Sequence, residues 1–213
     1  MHKKNRGVLI VISGPSGAGK GTICKELLKN NDNLYLSVSA TTRNPREGEI
    51  DGVNYYFLTR ENFLKRVEEN DFLEYAEVYG NCYGTPKSNV EKMLEEGKDV
   101  ILEIDIQGAL KVKENFSEGV FIFVLPPSME ELKQRIIKRG SETEESLMRR
   151  FKSAYKEINY VSKYNYAVVN DTLEVAVSKV EGIIAAEKCR VDRIKDNTIL
   201  DSKEGLIHEQ LYD

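Results

Sequence analysis

The run VLIVISGPSGAGKGT, residues 8–22, joins five consecutive apolar residues to a glycine-rich turn that ends in lysine, glycine and threonine. Val8 to Ile12 shows no polar alternation, the pattern of a strand buried on both faces of a sheet. Gly14 to Lys20 fits G-x-x-x-x-G-K, with Gly21 at the place where Ser or Thr usually follows the lysine. Residues 20–29 then read as helical through Ile23, Leu27 and Leu28. Strand, turn and helix start bring backbone N–H groups and a helix N-terminus to one point, where an anion is favoured. Gly14, Gly17 and Gly19 allow the backbone to approach a phosphate closely, and Lys20 supplies a mobile positive charge. Pro15, Ser16, Ala18, Gly21 and Thr22 complete the candidate ATP-binding loop, with Thr22, one place late, expected to hold the phosphate. Gly21 carries no hydroxyl, so Mg²⁺ is expected to travel with ATP, held through phosphates and water, and its direct protein ligands stay unassigned.

Working outward, DVILEI (99–104), VFIFVL (120–125) and YAVVN (166–170) repeat the buried-strand pattern, and helical stretches separate them. That alternation predicts a parallel sheet flanked by helices. Pro86 to Glu96 places Val90, Met93 and Leu94 on one helix face and stops at Gly97, with Pro86 suited to the first turn. Ser128 with Glu131 reads as a capping box before Leu132, Ile136 and Ile137, in a helix ended by Gly140, and Asp171 with Glu174 repeats the device. Residues 36–85, rich in Thr, Tyr, Gly and Arg around one helical pattern near Glu61 to Glu69, read as an inserted β-rich subdomain. The charged stretch RGSETEESLMRRFKSA (139–154) offers only Leu147, Met148 and Phe151 as anchors and reads as a mobile helical flap. The expected organisation is a core of residues 1–35 and 86–187 with the lid at about 139–154, the insertion at 36–85, and an extension at 188–213 that is either continued helix or a loosely held tail.

Composition removes several classes of function. With 213 residues, 31 Lys plus Arg and 35 Asp plus Glu, the net charge is −4 and the pI near 5.5, so no general basic excess exists to hold a nucleic-acid backbone. The apolar runs fall far short of the roughly 18–20 residues that span a bilayer. Lys3, Lys4 and Arg6 before Val8 imitate a signal peptide, but the apolar stretch ends after five residues without a cleavage-like site, so a cytoplasmic protein is expected. Cys24, Cys82 and Cys189 are odd in number and widely separated, which points to neither a disulfide framework nor a zinc site.

Five segments in order, GPSGAGKGT, SVSATTRNPREGEIDGVNYYF, FLEYAEVYGNCYGTP, ILEIDIQG and RGSETEES, resemble the guanylate kinases over roughly residues 7–187. The resemblance implies a P-loop NTPase core with a parallel sheet, an inserted GMP-binding subdomain and a helical lid, and ATP-dependent phosphorylation of GMP or dGMP. The residue chemistry agrees. Arg43 and Arg46 flank Pro45 and can grip one phosphate through paired hydrogen bonds. By resemblance Ser39 turns toward the base and Tyr55 and Tyr83 toward phosphate, with Tyr83 against the base as the other option. Glu74 in FLEYAE is the expected base reader: an ionised carboxylate only accepts hydrogen bonds, and guanine offers adjacent N1–H and N2–H donors. Phe72, Leu73, Tyr75 and Tyr79 are expected to surround it with apolar bulk, and Thr85 to add a hydroxyl. Glu103 and Asp105 end a central strand, where ligands of parallel α/β sheets collect. Asp105 orients GMP or magnesium water, or caps the helix that follows. Arg135, Arg139 and Arg150 are implied to close over the transferring phosphoryl group, and Asn170 to contact adenine.

The resulting expectation is in-line transfer of the ATP γ-phosphoryl group to GMP by positioning and charge neutralisation, without a general base, with Lys20, Arg43, Arg135, Arg139 and Arg150 as the catalytic set. ATP and Mg²⁺ are the donor and cofactor, nucleotides are the partners, no nucleic acid or membrane is involved, and a homo-oligomer stays open. A peptide-binding module that keeps the base cleft without catalysis is the alternative, against which the intact Lys20 and arginines count. Asp105 to Gly108 also matches the D-x-x-G of GTPase switches, but no N-K-x-D motif accompanies it.

Overall fold

The structure, a computed structural model, describes residues 6–78, 80–138 and 144–194, the side chains of residues 138, 144–147, 149 and 150 excepted. The chain runs β1 (Leu9–Ser13), α1 (Lys20–Asn30), β2 (Leu34–Leu36), β3 (Ala40–Thr41), β4 (Tyr56–Phe57), α2 (Arg60–Glu68), β5 (Phe72–Val78), β6 (Asn81–Pro86) and α3 (Lys87–Glu95). It continues through β7 (Asp99–Glu103), α4 (Ile106–Asn115), β8 (Val120–Leu125), α5 (Met129–Lys138), α6 (Glu144–Ile158), β9 (Tyr166–Val169), α7 (Leu173–Lys188) and α8 (Val191–Ile194).

Five strands form a parallel sheet in the order β2-β7-β1-β8-β9. The four apolar runs read from the sequence are four of these strands. Because successive side chains of a strand point to opposite faces, β1 divides the core in two. Val8, Ile10 and Ile12 pack with Ile23 and Leu27 of α1 and Val177 and Val180 of α7, while Leu9 and Val11 pack with Val90 and Leu94 of α3 and Ala109 and Val112 of α4. Both faces of β1 are thus sealed, and every residue of the strand is buried. Polar chemistry collects at its carboxyl end, where Gly14 begins the loop and Glu103 ends the neighbouring strand in register with Ile12.

Residues 36–85 contribute most of a second sheet, ordered β4-β3-β6-β5. The β5–β6 hairpin sets Glu74 opposite Thr85, with a register shift between Phe72 and Glu74. Phe63 of α2 is wholly buried beneath this sheet and stacks on Phe72 at 4.6 Å between ring centroids. Thr59 caps α2 by accepting the Asn62 N–H at 3.2 Å.

Several local expectations are corrected. Pro86 stands one place before α3, as its extended N-cap. Ser128 does accept the Glu131 N–H at 3.0 Å, but the Glu131 carboxylate takes the Arg135 guanidinium instead of closing the box. Helix α7 starts from Thr172, which makes no side-chain cap, so Asp171 and Glu174 do not form a capping box. Met148 is half exposed and Phe151 half-buried, whereas Ala154 is the buried residue among the described side chains of α6, packed against Leu132 and Ile136 of α5. A small residue at this contact permits close helix approach. The expected helix end at Gly140 and the side chain of Leu147 lie outside the described residues.

Beyond α7 the chain turns at Cys189 and forms the short α8. Glu187, nearly buried, accepts hydrogen bonds from the Tyr166 hydroxyl (2.5 Å), Arg190 (3.3 Å) and Arg193 (3.0 Å), while Lys188 pairs with the buried Asp99. The start of the extension is neither continued helix nor loose. Residues 195–213 lie outside the described part.

Candidate active site

The loop from Gly14 to Thr22 wraps the start of α1 as its sequence requires. Gly14 and Gly19 have φ of 140° and 95°, a left-handed region that side chains rarely enter. A Cβ on Gly14 would also stand 2.3 Å from the Val124 carbonyl oxygen, so this glycine is required twice over. Lys20 folds back over the loop, its Nζ donating to the carbonyls of Gly14 (2.6 Å) and Pro15 (3.2 Å). Gly21 has no unusual φ, and its reason is spatial: a Cβ there would meet both carboxylate oxygens of Glu103 at 3.3 Å. The place usually taken by a Ser or Thr side chain is faced by the carboxylate that ends β7.

A cleft of about 320 Å³ opens beside the loop, lined by Gly17, Gly19, Thr22, Arg135, Asn170, Asp171 and Leu173. Asn170 is 7% exposed and donates its Nδ2 to the Ala18 carbonyl at 2.8 Å. Arg135 reaches the same corner, giving both Nη groups to the Asn170 carbonyl at 3.2 Å each and its Nε to Glu131 at 3.0 Å. Arg139 lies outside the described residues, and Arg150 is placed only as a position in α6.

On the other side Arg43, Tyr55 and Tyr83 come together. The Arg43 guanidinium sits 5.4 Å from the Tyr55 ring centre and 5.8 Å from that of Phe57, and Tyr55 meets Tyr83 edge-on at 6.1 Å. Burial raises the Tyr55 phenol above its ordinary range, and the neighbouring Tyr83 adds to this. Arg43 donates its Nη2 to Glu49 at 2.9 Å, and the Arg46 backbone N–H bonds the other Glu49 oxygen at 2.7 Å. The Arg43 guanidinium and these hydrogen bonds hold the Glu49 carboxyl below the usual carboxylate range. Arg46 is exposed, and Ser39 is half-buried with its carbonyl on the Tyr56 N–H.

Glu74 is buried on β5. Its Oε1 accepts the Thr85 hydroxyl at 2.8 Å, and its Oε2 lies so near Gly108 that a Cβ there would come within 2.7 Å. Burial raises its carboxyl to about 7, the Thr85 bond opposes the rise, Asp105 adds to it and Lys111 opposes it. Leu73 is buried and Phe72 half-buried, but Tyr75 is 45% exposed and points out to Lys111, so it does not wall in Glu74; strand alternation sends it to the other face. Tyr79 lies outside the described residues. Asp105 caps α4, its Oδ1 accepting the Gly108 N–H at 2.8 Å. Glu103 stands between the two halves: burial raises the Cys24 thiol in α1 and the Tyr55 phenol, and the Glu103 charge adds to both.

Glu49 and Phe57 were not singled out by the sequence reading, and Asp171 was read only as a helix cap and Leu173 not as part of the cleft. A carboxylate three residues after Arg46 was the one available signal for Glu49.

The guanylate kinase family profile matches residues 6–187 of this chain. A guanylate kinase of Clostridium perfringens (strain SM101) is 78% identical over 213 residues, covering the whole of this chain and 98% of that protein. One of Clostridium tetani is 75% identical over 208 residues, covering 98% of this chain and 99% of its own length. Among solved structures, a guanylate kinase from Anaplasma phagocytophilum superposes with a TM-score of 0.73 at 36% identity, over 90% of this chain and 95% of that one.

Proposed function

This chain belongs to the guanylate kinase family, and from that premise we propose how its residues carry out the reaction, the transfer of the γ-phosphoryl group of ATP to GMP to give ADP and GDP. ATP occupies the loop Gly14–Thr22 with Lys20 on its β and γ phosphates and its base side toward Asn170. GMP, or dGMP, lies across the second sheet. Its phosphate is gripped by Arg43, Arg46, Tyr55 and Tyr83, and its guanine faces Glu74, Thr85, Ser39 and Asp105.

The observation that carries the acceptor side is Glu74. A carboxylate accepts two donors at once, its Oε1 is already aligned by Thr85, and the space at its Oε2 is kept open by Gly108. Guanine supplies such a donor pair, whereas adenine presents an acceptor at N1.

Chemistry proceeds by holding two polyanions in line. The acceptor phosphate is ionised near neutral pH and needs no base to activate it. Lys20 and the arginines 43, 135, 139 and 150 neutralise the charge that spreads over the transferred group, and closure of the lid and of residues 36–85 excludes water. Among the described residues no group of three His, Cys, Asp or Glu side chains could cage a metal. The oxygens at this end of the sheet, on Glu103, Asp105 and Thr22, suit Mg²⁺ that is held mainly through phosphates and water. When bound, the ion supplies charge neutralisation of the donor phosphates.

Among the described residues no helix is long and apolar enough to cross a membrane, which supports a cytoplasmic enzyme. The test is coupled ADP formation from ATP and Mg²⁺ with GMP, dGMP, AMP, CMP and UMP as acceptors. GMP-dependent turnover that fails with AMP is expected; silence with every acceptor from folded protein would favour the peptide-binding module.

A proton linkage follows from Glu74. Its carboxyl, raised to about 7 in the empty site, is largely protonated below that pH, and GMP requires the anion. Binding must then release a proton, so GMP affinity falls as pH drops through 7 and levels off above it. Calorimetry at pH 7 in buffers of different ionisation heat should show release of about half a proton per GMP from this group, and almost none at pH 8.5. The phosphate of GMP, titrating near 6, contributes only about a tenth of a proton at pH 7. Absence of exchange at pH 7 would show that the Glu74 carboxyl is already ionised in the empty site.

A further inference from the structure

We infer that the Asn170 side chain is a positioning residue for the donor phosphates, acting through the Ala18–Gly19 peptide of the loop, and that it does not read the adenine. This rests on the reading that Gly14–Thr22 holds the phosphates of ATP.

Asn170 is fixed before any ligand arrives. It follows directly on β9, and its backbone N–H donates to the Leu125 carbonyl at 2.8 Å, extending the β8–β9 pairing by one residue. Its carbonyl takes the two Nη groups of Arg135, which Glu131 steadies at Nε. Its side chain is spent inward: Nδ2 donates to the Ala18 carbonyl, and a Cβ on Gly19 would stand 2.3 Å from the same nitrogen. The amide thus fills the space that a side chain on Gly19 would need.

The peptide between Ala18 and Gly19 is trans and planar, since the described chain contains no cis bond. Carbonyl and N–H of one peptide point in opposite directions. Holding the Ala18 carbonyl against Asn170 therefore turns the Gly19 N–H away from Asn170, toward the concave side of the loop where an anion is bound. Gly19 is also the N-cap of α1 and sits in the left-handed region at φ 95° and ψ 18°, with no side-chain cap of its own. A glycine in that position has many accessible conformations, and the Asn170 bond selects one of them.

A base contact and a loop contact make different demands on a ligand without a base. Asn170→Ala is compared with the unaltered protein for binding of ATP and of inorganic tripolyphosphate, each with Mg²⁺, by calorimetry. Both ligands are expected to weaken by about tenfold and to the same degree, through loss of one buried hydrogen bond that orders the loop. In turnover the KM for ATP should rise by a similar factor while the KM for GMP stays put. Asn170→Asp keeps the shape but sets an acceptor against the Ala18 carbonyl; it should weaken both ligands at least as much, and it serves if the alanine variant folds poorly. Loss confined to ATP, with tripolyphosphate unaffected, would make Asn170 an adenine contact and overturn the inference, as would unchanged binding of both. Failure of the unaltered protein to bind either ligand would overturn the phosphate-loop reading itself, and the inference with it.

Discussion

Lys20→Ala lowers the rate of phosphoryl transfer by about 10²–10³ or more, equivalent to about 3–4 kcal/mol of transition-state stabilisation, while the protein stays folded. The ammonium rests on two carbonyls of its own loop, Gly14 and Pro15. These bonds hold it beside the anion site, from which it can swing onto phosphate as charge develops. A partly exposed lysine bonded to loop carbonyls supports little of the fold, so a melting temperature within a few degrees of the parent is expected. Single-turnover transfer measured beside a thermal melt separates the two quantities. Near-normal turnover would show that the loop does not work as the donor site.

Glu74→Gln reduces kcat/KM for GMP by as much as about 10⁴ and leaves ATP binding intact. The amide keeps one acceptor for the Thr85 hydroxyl but turns an NH₂ toward the donors of guanine, so two donors face each other where donor and acceptor met. Replacing a buried acid by a neutral amide of the same shape does not disturb packing, which makes unfolding a poor explanation of the loss. The same variant should lose the proton release that accompanies GMP binding near pH 7. It should also narrow the gap between GMP and AMP, because adenine N1 can accept from the new amide. Acceptor kinetics with GMP and AMP, with ATP-analogue affinity measured alongside, test both statements; unchanged GMP use would reject Glu74 as the base reader.

The elements legible in the sequence were those whose burial leaves a pattern. β1, β7, β8 and β9 are continuous apolar runs because both sheet faces are covered, and α1 declares itself through Ile23 and Leu27. β2, β3 and β4 have three, two and two residues, too few for any periodicity, and their partners lie far away in sequence. The second sheet could therefore be foreseen as a region but not as a topology. Site residues divided in the same way. Lys20 and Glu74 were named from local chemistry; the structure sets Lys20 on two carbonyls of its own loop and buries Glu74 beside Thr85 and Gly108. Tyr75 was misplaced because a neighbour in sequence is an opposite in a strand. Asn170 was named for an adenine contact, while its side-chain partner, 152 residues away, is visible only in three dimensions. Glu49 went unnoticed because spacing does not say which arginine a carboxylate will hold.

The pairing of Glu49 with Arg43 bears on what the acceptor pocket ignores. The Arg43 guanidinium is already answered by an internal carboxylate, so an anion that approaches it competes with Glu49. A free phosphate, or the triphosphate tail of a misdirected donor, would have to evict Glu49 and would gain only one anion in exchange for another. On the function proposed above, GMP adds contacts at Glu74, which a bare phosphate lacks, and so tips this exchange. The carboxylate thus acts as a resident competitor, setting a threshold that a ligand must satisfy at both ends to cross.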